Sequence, residues 1–297
     1  MSSFAVLRKS LKGRLLVYSL ALSGVLFASG CASLVNRASE RFADNLGRGI
    51  LNQDDPATVA EGLPAYLLLL DGLLEGDPQN AGTLRAAARL YGAYAANFVS
   101  EPERAARLSA RAFDYAQRAT CIDQPGLCAA VKSPFDEWEM AVAAQTSEED
   151  AARLYALGSA WAGYIQTHSE DYAAIAAIPR VSLLLERAVA LQSALDQGMP
   201  HVYLGVLYSL RPAAVGGRPE QGRAAFEKAI ELSGGRNLMA RTLLARHYAR
   251  LVFDQQLHDA QLQQVIAAEP RAPGLTLMNT LAQAQARELL ADSANYF

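Results

Sequence analysis

Helical periodicity runs through nearly all of this 297-residue sequence and limits most strongly what it can fold into. Between turn signals, apolar residues recur every three or four positions, the pattern of helices that bury one face. The same segments are rich in Ala, Leu, Arg, Gln and Glu, which favour helices. The sequence therefore predicts an all-α protein. The predicted helices lie near residues 57–75, 79–99, 103–121, 147–168, 179–195, 200–210, 219–233, 236–253, 257–268 and 275–292.

A short helix-ending pattern occurs three times in the same form. An apolar residue and two polar residues precede a small one, which lies at Ala119, Ala188 and Ala229. A small residue at this place lets neighbouring helices approach, as in the second helix of a tetratricopeptide repeat. The matching first-helix pattern is present at Leu204, Gly205 and Tyr208. The sequence predicts tetratricopeptide-like stacked helix pairs that form a compact α-solenoid.

The tripeptide Gly-Gly-Arg occurs at both ends of the stretch VGGRPEQGRAAFEKAIELSGGRNL, residues 215–238. Pro219 suits the first helical position, Glu220 complements the positive helix start, and Gly234 is a natural stop. A phosphate loop would follow a strand and carry Gly-Lys-Ser/Thr or a third spaced glycine, and neither is present. We therefore interpret the two tripeptides as the boundaries of one helix.

The N-terminus has the organisation of a bacterial lipoprotein signal. Four basic residues, Arg8, Lys9, Lys12 and Arg14, precede an apolar run at residues 15–28, and the small residues of ASGC lead into Cys31. We predict a signal peptide at 1–30, a lipid-anchored linker at 31–41 beginning at acylated Cys31, and a helical domain at 42–297. The alternative is a secreted protein in which Cys31 carries no lipid. Ala32 follows the cysteine, and the absence of Asp there favours the outer membrane.

The net charge bears on the class of partner, and the cysteine content bears on disulfide formation. Removing the four basic residues of the signal from the formal net charge of −3 leaves −7, which argues against nucleic acid. Cys121 and Cys128 remain in the exported chain, and an oxidising compartment favours a disulfide between them. Metal binding by the pair is the alternative, but it needs further ligands, and no histidine lies within thirty residues of the pair.

The sequence contains no recognisable catalytic constellation. The Gly-x-Ser-x-Gly, His-Glu-x-x-His and Cys-x-x-Cys patterns are absent, so we predict no enzyme activity, no cofactor and no metal. Acidic residues at 54–55 and 148–150 precede helices, where they are expected to cap or complement the helix start. Trp161 and Tyr164 share one helical face, which is either core or the lining of a ligand groove.

An ordered set of motifs resembles the T component of tripartite ATP-independent periplasmic (TRAP) transporters. The set comprises LYALGSAWAGYI, the break at residues 178–181, Arg211-Pro212, GGRPE, FEKAIELSGGRNL, ARTLLARHYAR and the final NTLAQAQARELLADSANYF. The resemblance is strongest over residues 147–297, whereas 120–140 and 41–80 fit less well. It implies a non-enzymatic lipoprotein on the periplasmic side of a membrane. This protein would associate with the periplasmic solute-binding protein and pass a hydrophobic ligand through an apolar channel.

The expected partners are thus the solute-binding protein, the membrane through the lipid anchor, and a further copy of the chain. We expect residues 211–237 to lie near the partner or ligand surface, with Arg211, Arg218, Arg236 and Asn237 as candidate contacts beside Trp161 and Tyr164. The guanidinium groups could pair with partner carboxylates or only close the local turns. The competing function is a repeat scaffold that helps assemble outer-membrane or envelope complexes.

Replacing Cys31 with Ser should release the protein from membranes in cell fractionation, because lipidation requires that thiol. Unchanged membrane association together with unchanged processing in the Cys31→Ser variant would refute the lipoprotein prediction.

Overall fold

The computed structural model describes residues 47–297, so Cys31 and the predicted signal lie outside the described residues. Within that part of the chain the structure is helical and contains no strand, which confirms the all-α prediction. Residues 47–51 are helical and are the described part of a first unit that ends at Leu51, whereas Asn52–Phe297 form one compact unit.

The helices of the compact unit are numbered here in chain order. They are α1 (Pro56–Gly76), α2 (Ala81–Phe98), α3 (Pro102–Asp123), α4 (Pro125–Ala130), α5 (Phe135–Ala143), α6 (Glu148–Thr167), α7 (Tyr172–Ala176), α8 (Ile178–Leu191), α9 (Met199–Tyr208), α10 (Pro219–Leu232), α11 (Leu238–Leu243, continued as a π-helix over Leu244–Ala249), α12 (Gln255–Ala267), α13 (Thr276–Ala291) and α14 (Ser293–Tyr296). Two 3₁₀ turns lie at Leu195–Gly198 and Ala213–Val215.

The helices stack as consecutive pairs. Helix α2 packs on α3, α6 on α8, α9 on α10, and α11 with its π-helical continuation on α12. Each pair also packs on the next, through α3 with α6, α8 with α9 and α10 with α11. Helix α13 packs on both α11 and α12, and α1 packs on α2 at the other end of the series. The predicted stack of tetratricopeptide-like pairs is confirmed.

Helices α4 and α5 lie between residues 121 and 147, where the sequence analysis predicts no helix. A proline lies at the start of each: Pro125 is the first residue of α4, and Pro134 is the N-cap of α5. Proline is tolerated there because the first amide groups of a helix have no partner within it. Trp138 of α5 is fully buried and donates a hydrogen bond to the Arg180 carbonyl, so α5 packs on α8.

Helix α9 approaches α10 closely at a glycine. A Cβ atom at Gly205 would lie 2.7 Å from ring atoms of Phe226, which is fully buried. Val202, Leu244 and Tyr248 belong to the same core cluster as Phe226. The small residues predicted at helix crossings, Ala188 and Ala229, are also completely buried. The repeat pattern therefore marks the places where helices touch.

Of the acidic residues predicted at helix starts, Asp55 before α1 and Asp150 in the first turn of α6 act as caps. Asp55 accepts a hydrogen bond from the amide of Ala57 at 3.0 Å. Ser147 and Asp150 form a reciprocal capping box, in which each side chain accepts a hydrogen bond from the other residue's amide. These carboxylates satisfy helix-start amides that would otherwise lack partners.

Two buried amide side chains of α13 complete the backbone hydrogen bonds of its neighbours. Asn279 accepts a hydrogen bond from the Leu238 amide and donates to the carbonyls of Arg236 and Pro270. Gln283 donates to the last carbonyls of α12 and the residue after it, with its Nε2 2.8 Å from the Ala268 oxygen. Since unpaired buried backbone groups are costly, these two side chains hold α13 against α11 and α12.

Cys121 and Cys128 are joined in a disulfide that links the last turn of α3 to α4, with the Cα atoms 4.8 Å apart. Because it closes a short loop, its contribution to stability is expected to be about 2 kcal/mol, the low end of the usual range. Alkylation of unreduced protein taken from the cell envelope should find neither thiol free. Two free thiols in the mature chain would contradict the pairing.

The close approach of α9 and α10 can be tested with matched glycine substitutions. Gly205→Ala should lower the free energy of unfolding by about 1–3 kcal/mol, because the added methyl group meets the buried Phe226 ring. Gly163→Ala in α6 is the control, since nothing lies within 4 Å of the added Cβ. It should raise stability by about 0.5–1 kcal/mol. Denaturant unfolding measures both, and equal effects would refute this account of the crossing.

Candidate partner surface

The two Gly-Gly-Arg tripeptides bound helix α10, as the sequence analysis proposed. Gly216, Gly234 and Gly235 have positive φ angles of 83°, 59° and 77°, a backbone conformation that glycine adopts without strain. At Gly217 a Cβ would come within 1.7 Å of the Arg211 carbonyl oxygen, so no larger residue fits. The tripeptides are backbone turns that start and stop one helix.

Arg218 joins three helices of the stack rather than standing free. Its guanidinium lies 4.0 Å from the centre of the Tyr208 ring and 3.4 Å from the Glu186 carboxylate. Tyr208 donates a hydrogen bond of 2.6 Å to the same carboxylate. Burial and this hydrogen bond raise the pKa of Tyr208 above its usual value. Arg218 therefore ties the start of α10 to α8 and α9.

Arg236 and Asn237 also have structural contacts. The Arg236 side chain donates to the Ser233 carbonyl at 3.0 Å, which closes the turn after α10. Asn237 is completely buried and caps α11 by accepting a hydrogen bond from the Ala240 amide. The prediction of Asn237 as a surface contact is wrong, because the cap draws its side chain inside. Arg211 is exposed, and no hydrogen bond or ion pair joins its side chain to the described part of the chain.

The aromatic stripe of α6 is mainly core. Trp161 is only 6% exposed, stacks on Phe113 with ring centres 5.1 Å apart, and meets Trp138 edge-on. Its assignment to a partner surface is therefore wrong, and the core alternative holds. Tyr164 is partly exposed and stacks on His168 at 4.0 Å. Of the two predicted residues, only Tyr164 reaches solvent.

Asp71 organises a polar cluster that the sequence analysis did not find. Tyr91 and Tyr115 each donate a hydrogen bond to its carboxylate, at 2.6 and 2.7 Å. Arg111 lies 3.2 Å from the same carboxylate and within 6 Å of both tyrosine ring centres. Burial, followed by the hydrogen bond to Asp71, raises the pKa of Tyr91 and of Tyr115. In the sequence, Asp71 is only an interruption of an apolar run.

A cleft of about 310 Å³ opens beside this cluster, between α1 and α3. Its lining includes Glu75 of α1 together with Tyr115 and Arg118 of α3. Arg118 is already engaged, because its guanidinium donates to the Pro78 carbonyl and lies 3.6 Å from Asp114. The charged groups of the cleft are thus largely paired with one another, and they hold α1 against α3.

A second polar cluster lies where α6 meets α9. Tyr155 donates a hydrogen bond to Asp196 at 3.2 Å, and its ring meets Tyr203 edge-on at 5.9 Å. Burial and the Asp196 carboxylate raise the pKa of Tyr203 to about 12. Asp196 and Gln197 have positive φ angles, which cost energy in residues other than glycine. The side chain of Gln197 supports this turn by donating to the Pro273 carbonyl.

No group of three metal-ligating side chains occurs within residues 47–297. The partly exposed groups just described offer hydrogen bonds, aromatic surface and a few charges. This combination suits contact with a protein or an organic ligand.

Comparison with known proteins shows the family to which the chain belongs. The family model of the TRAP transporter T-component matches residues 52–297, which is most of the chain. The chain is also similar to an uncharacterized protein of Treponema pallidum (strain Nichols), with 24% identity over 267 residues that cover 84% of this chain and 83% of the relative. The motifs of α9 to α13, the stacked helix pairs and the family match agree, and the chain belongs to the TRAP transporter T-component family.

Proposed function

We propose that this protein is a non-enzymatic lipoprotein accessory of a TRAP transporter that binds the periplasmic solute-binding protein, the P component. The observation that carries the proposal is the family match over the whole helical body, which makes the protein a component of such a transporter. Stacked helix pairs support it, because they present extended surfaces for protein partners. Acylated Cys31 would hold this body on the periplasmic side of the outer membrane.

The second part of the proposal concerns the ligand. The first helices of the four pairs, α2, α6, α9 and α11, contact one another in order, and α13 contacts α11 at the end of the series. They form a continuous surface that carries the partly exposed rings of Tyr155 and Tyr203. We propose that a hydrophobic ligand received from the solute-binding protein moves along this surface. Aromatic rings with polar tips suit such contacts, because they offer apolar area and a hydrogen bond together.

The competing function is a scaffold for outer-membrane or envelope complexes, for which a stack of helix pairs is equally suited. The family match favours the transport function, since it names a transporter component. The two functions differ in the partner that the protein binds.

The test uses the mature lipoprotein in detergent and the solute-binding protein of the same transporter. Isothermal titration calorimetry, with and without the transported solute, should detect saturable binding with a Kd of about 1 μM or tighter, about −8 kcal/mol. A solute-binding protein from an unrelated importer is the control and should give no heat of binding. Absence of binding to the cognate protein in both states, by calorimetry and by co-elution, would refute the transport function and favour the scaffold.

A further inference from the structure

Helix α1 is more apolar than its packing requires. Among the described residues it is the helix long and apolar enough, by length and composition, to cross a membrane. Only 22% of its most apolar 18-residue window is buried in the protein. A core helix of this composition would be mostly buried, because apolar side chains gain stability by leaving water. Helix α1 therefore carries more apolar residues than its packing in the fold buries.

The rotation of α1 is set by contacts on one side. Val59, Leu63, Leu67 and Leu74 are each at most 6% exposed, on the side from which Asp71 binds tyrosines of α2 and α3. Turning the helix to bury its other side would break both hydrogen bonds, leave the two tyrosine hydroxyls without this acceptor and expose the four apolar side chains to water. The exposed side is therefore a stable feature of the folded protein.

That exposed side is apolar as well. It consists of Ala65, Leu68, Leu69, Gly72 and Leu73, which recur at helical spacing; we call these five residues the outer face of α1. The three leucines are 71%, 47% and 53% exposed. Leucines grouped in this way, on a helix already fixed by its other side, mark an interaction site.

The charged residues that α1 and its C-cap carry all have one sign. Glu61, Glu75 and Asp77 are exposed along α1 and at its C-cap, and residues 56–77 contain no lysine or arginine. Glu75 also lies on the rim of the cleft beside the Asp71 cluster. The outer face is therefore an apolar strip with an acidic border. A complementary surface would carry apolar side chains flanked by lysine or arginine.

We infer that the outer face of α1 docks the solute-binding protein, through an apolar patch on that protein with a basic border. This inference rests on the proposed function and adds the place and the chemistry of contact. The acidic border argues against a lipid surface, because anionic headgroups attract basic helices and repel acidic ones. It also argues against a second copy of the face, because self-pairing would bring acidic borders together.

The experiment measures binding of the solute-binding protein to variants of the mature lipoprotein by calorimetry. The double variant Leu68→Ser/Leu73→Ser should weaken binding at least about 10-fold, because it removes the most exposed apolar side chains from the centre of the contact. The control is Met140→Ser in α5, which removes a side chain of 65% exposure away from α1 and should leave affinity unchanged. Unchanged thermal unfolding of both variants shows that the fold is intact.

Charge provides a second, independent measurement. Glu75→Lys should weaken binding several-fold and reduce its dependence on salt, since it reverses the border charge. Glu170→Lys is the matched control, because Glu170 is an exposed acid outside α1 and should tolerate reversal. Both variants keep the five residues of the outer face, so the effect reports on charge alone.

The outcomes separate the two proposals. If the unaltered protein does not bind the solute-binding protein, both the proposed function and the docking face are overturned. If it binds and the Leu68→Ser/Leu73→Ser variant binds equally well, the docking face alone is overturned. The same follows if the double variant keeps its affinity but loses self-association in gel filtration, or loses binding to vesicles of anionic lipid. Those results would assign the face to a second copy or to a membrane.

Discussion

Close approach of helices at small residues is the constraint on which this structure depends. Gly205 leaves room for the buried Phe226 ring, and Ala188 and Ala229 occupy crossings with no exposed surface. A larger residue at these places would hold two helices apart and open gaps in a core that gains its stability from dense packing. Because each pair also packs on the next, an error at one crossing would disturb its neighbours along the stack.

Polar side chains between the helices add hydrogen bonds that fix how the packed helices are oriented. Asn279 and Gln283 satisfy backbone groups of α11 and α12, and so hold the last long helix in place. At the other end of the series, Asp71 accepts hydrogen bonds from Tyr91 and Tyr115 and determines which side of α1 faces the protein. The hydrogen bonds of Asn279 and Gln283 hold α13 on the helices before it. The hydrogen bonds of Asp71 leave the apolar outer face of α1 exposed to solvent. The proposed docking surface therefore depends on the contacts of one half-buried carboxylate.

The candidate site residues show where pattern and structure diverge. Arg218 and Arg236 lie at the turns where the sequence puts them, yet their side chains are engaged within the protein. Trp161 and Asn237 were predicted at a surface and are buried, because helical spacing groups residues on a face without saying which face turns inward. Lipidation of Cys31 stays a prediction, since that residue lies outside the described part of the chain.

Features that depend on near neighbours along the chain can be predicted from the order of the residues alone. Periodicity and propensity predict the helices, glycines and prolines mark their ends, and small residues at fixed spacing predict paired packing. The partners of Asp71 lie 20 and 44 residues away, so they and the exposed side of α1 become known only from the folded arrangement of the helices. Such contacts arise when helices distant in sequence stack, and no local pattern encodes which of their side chains will meet.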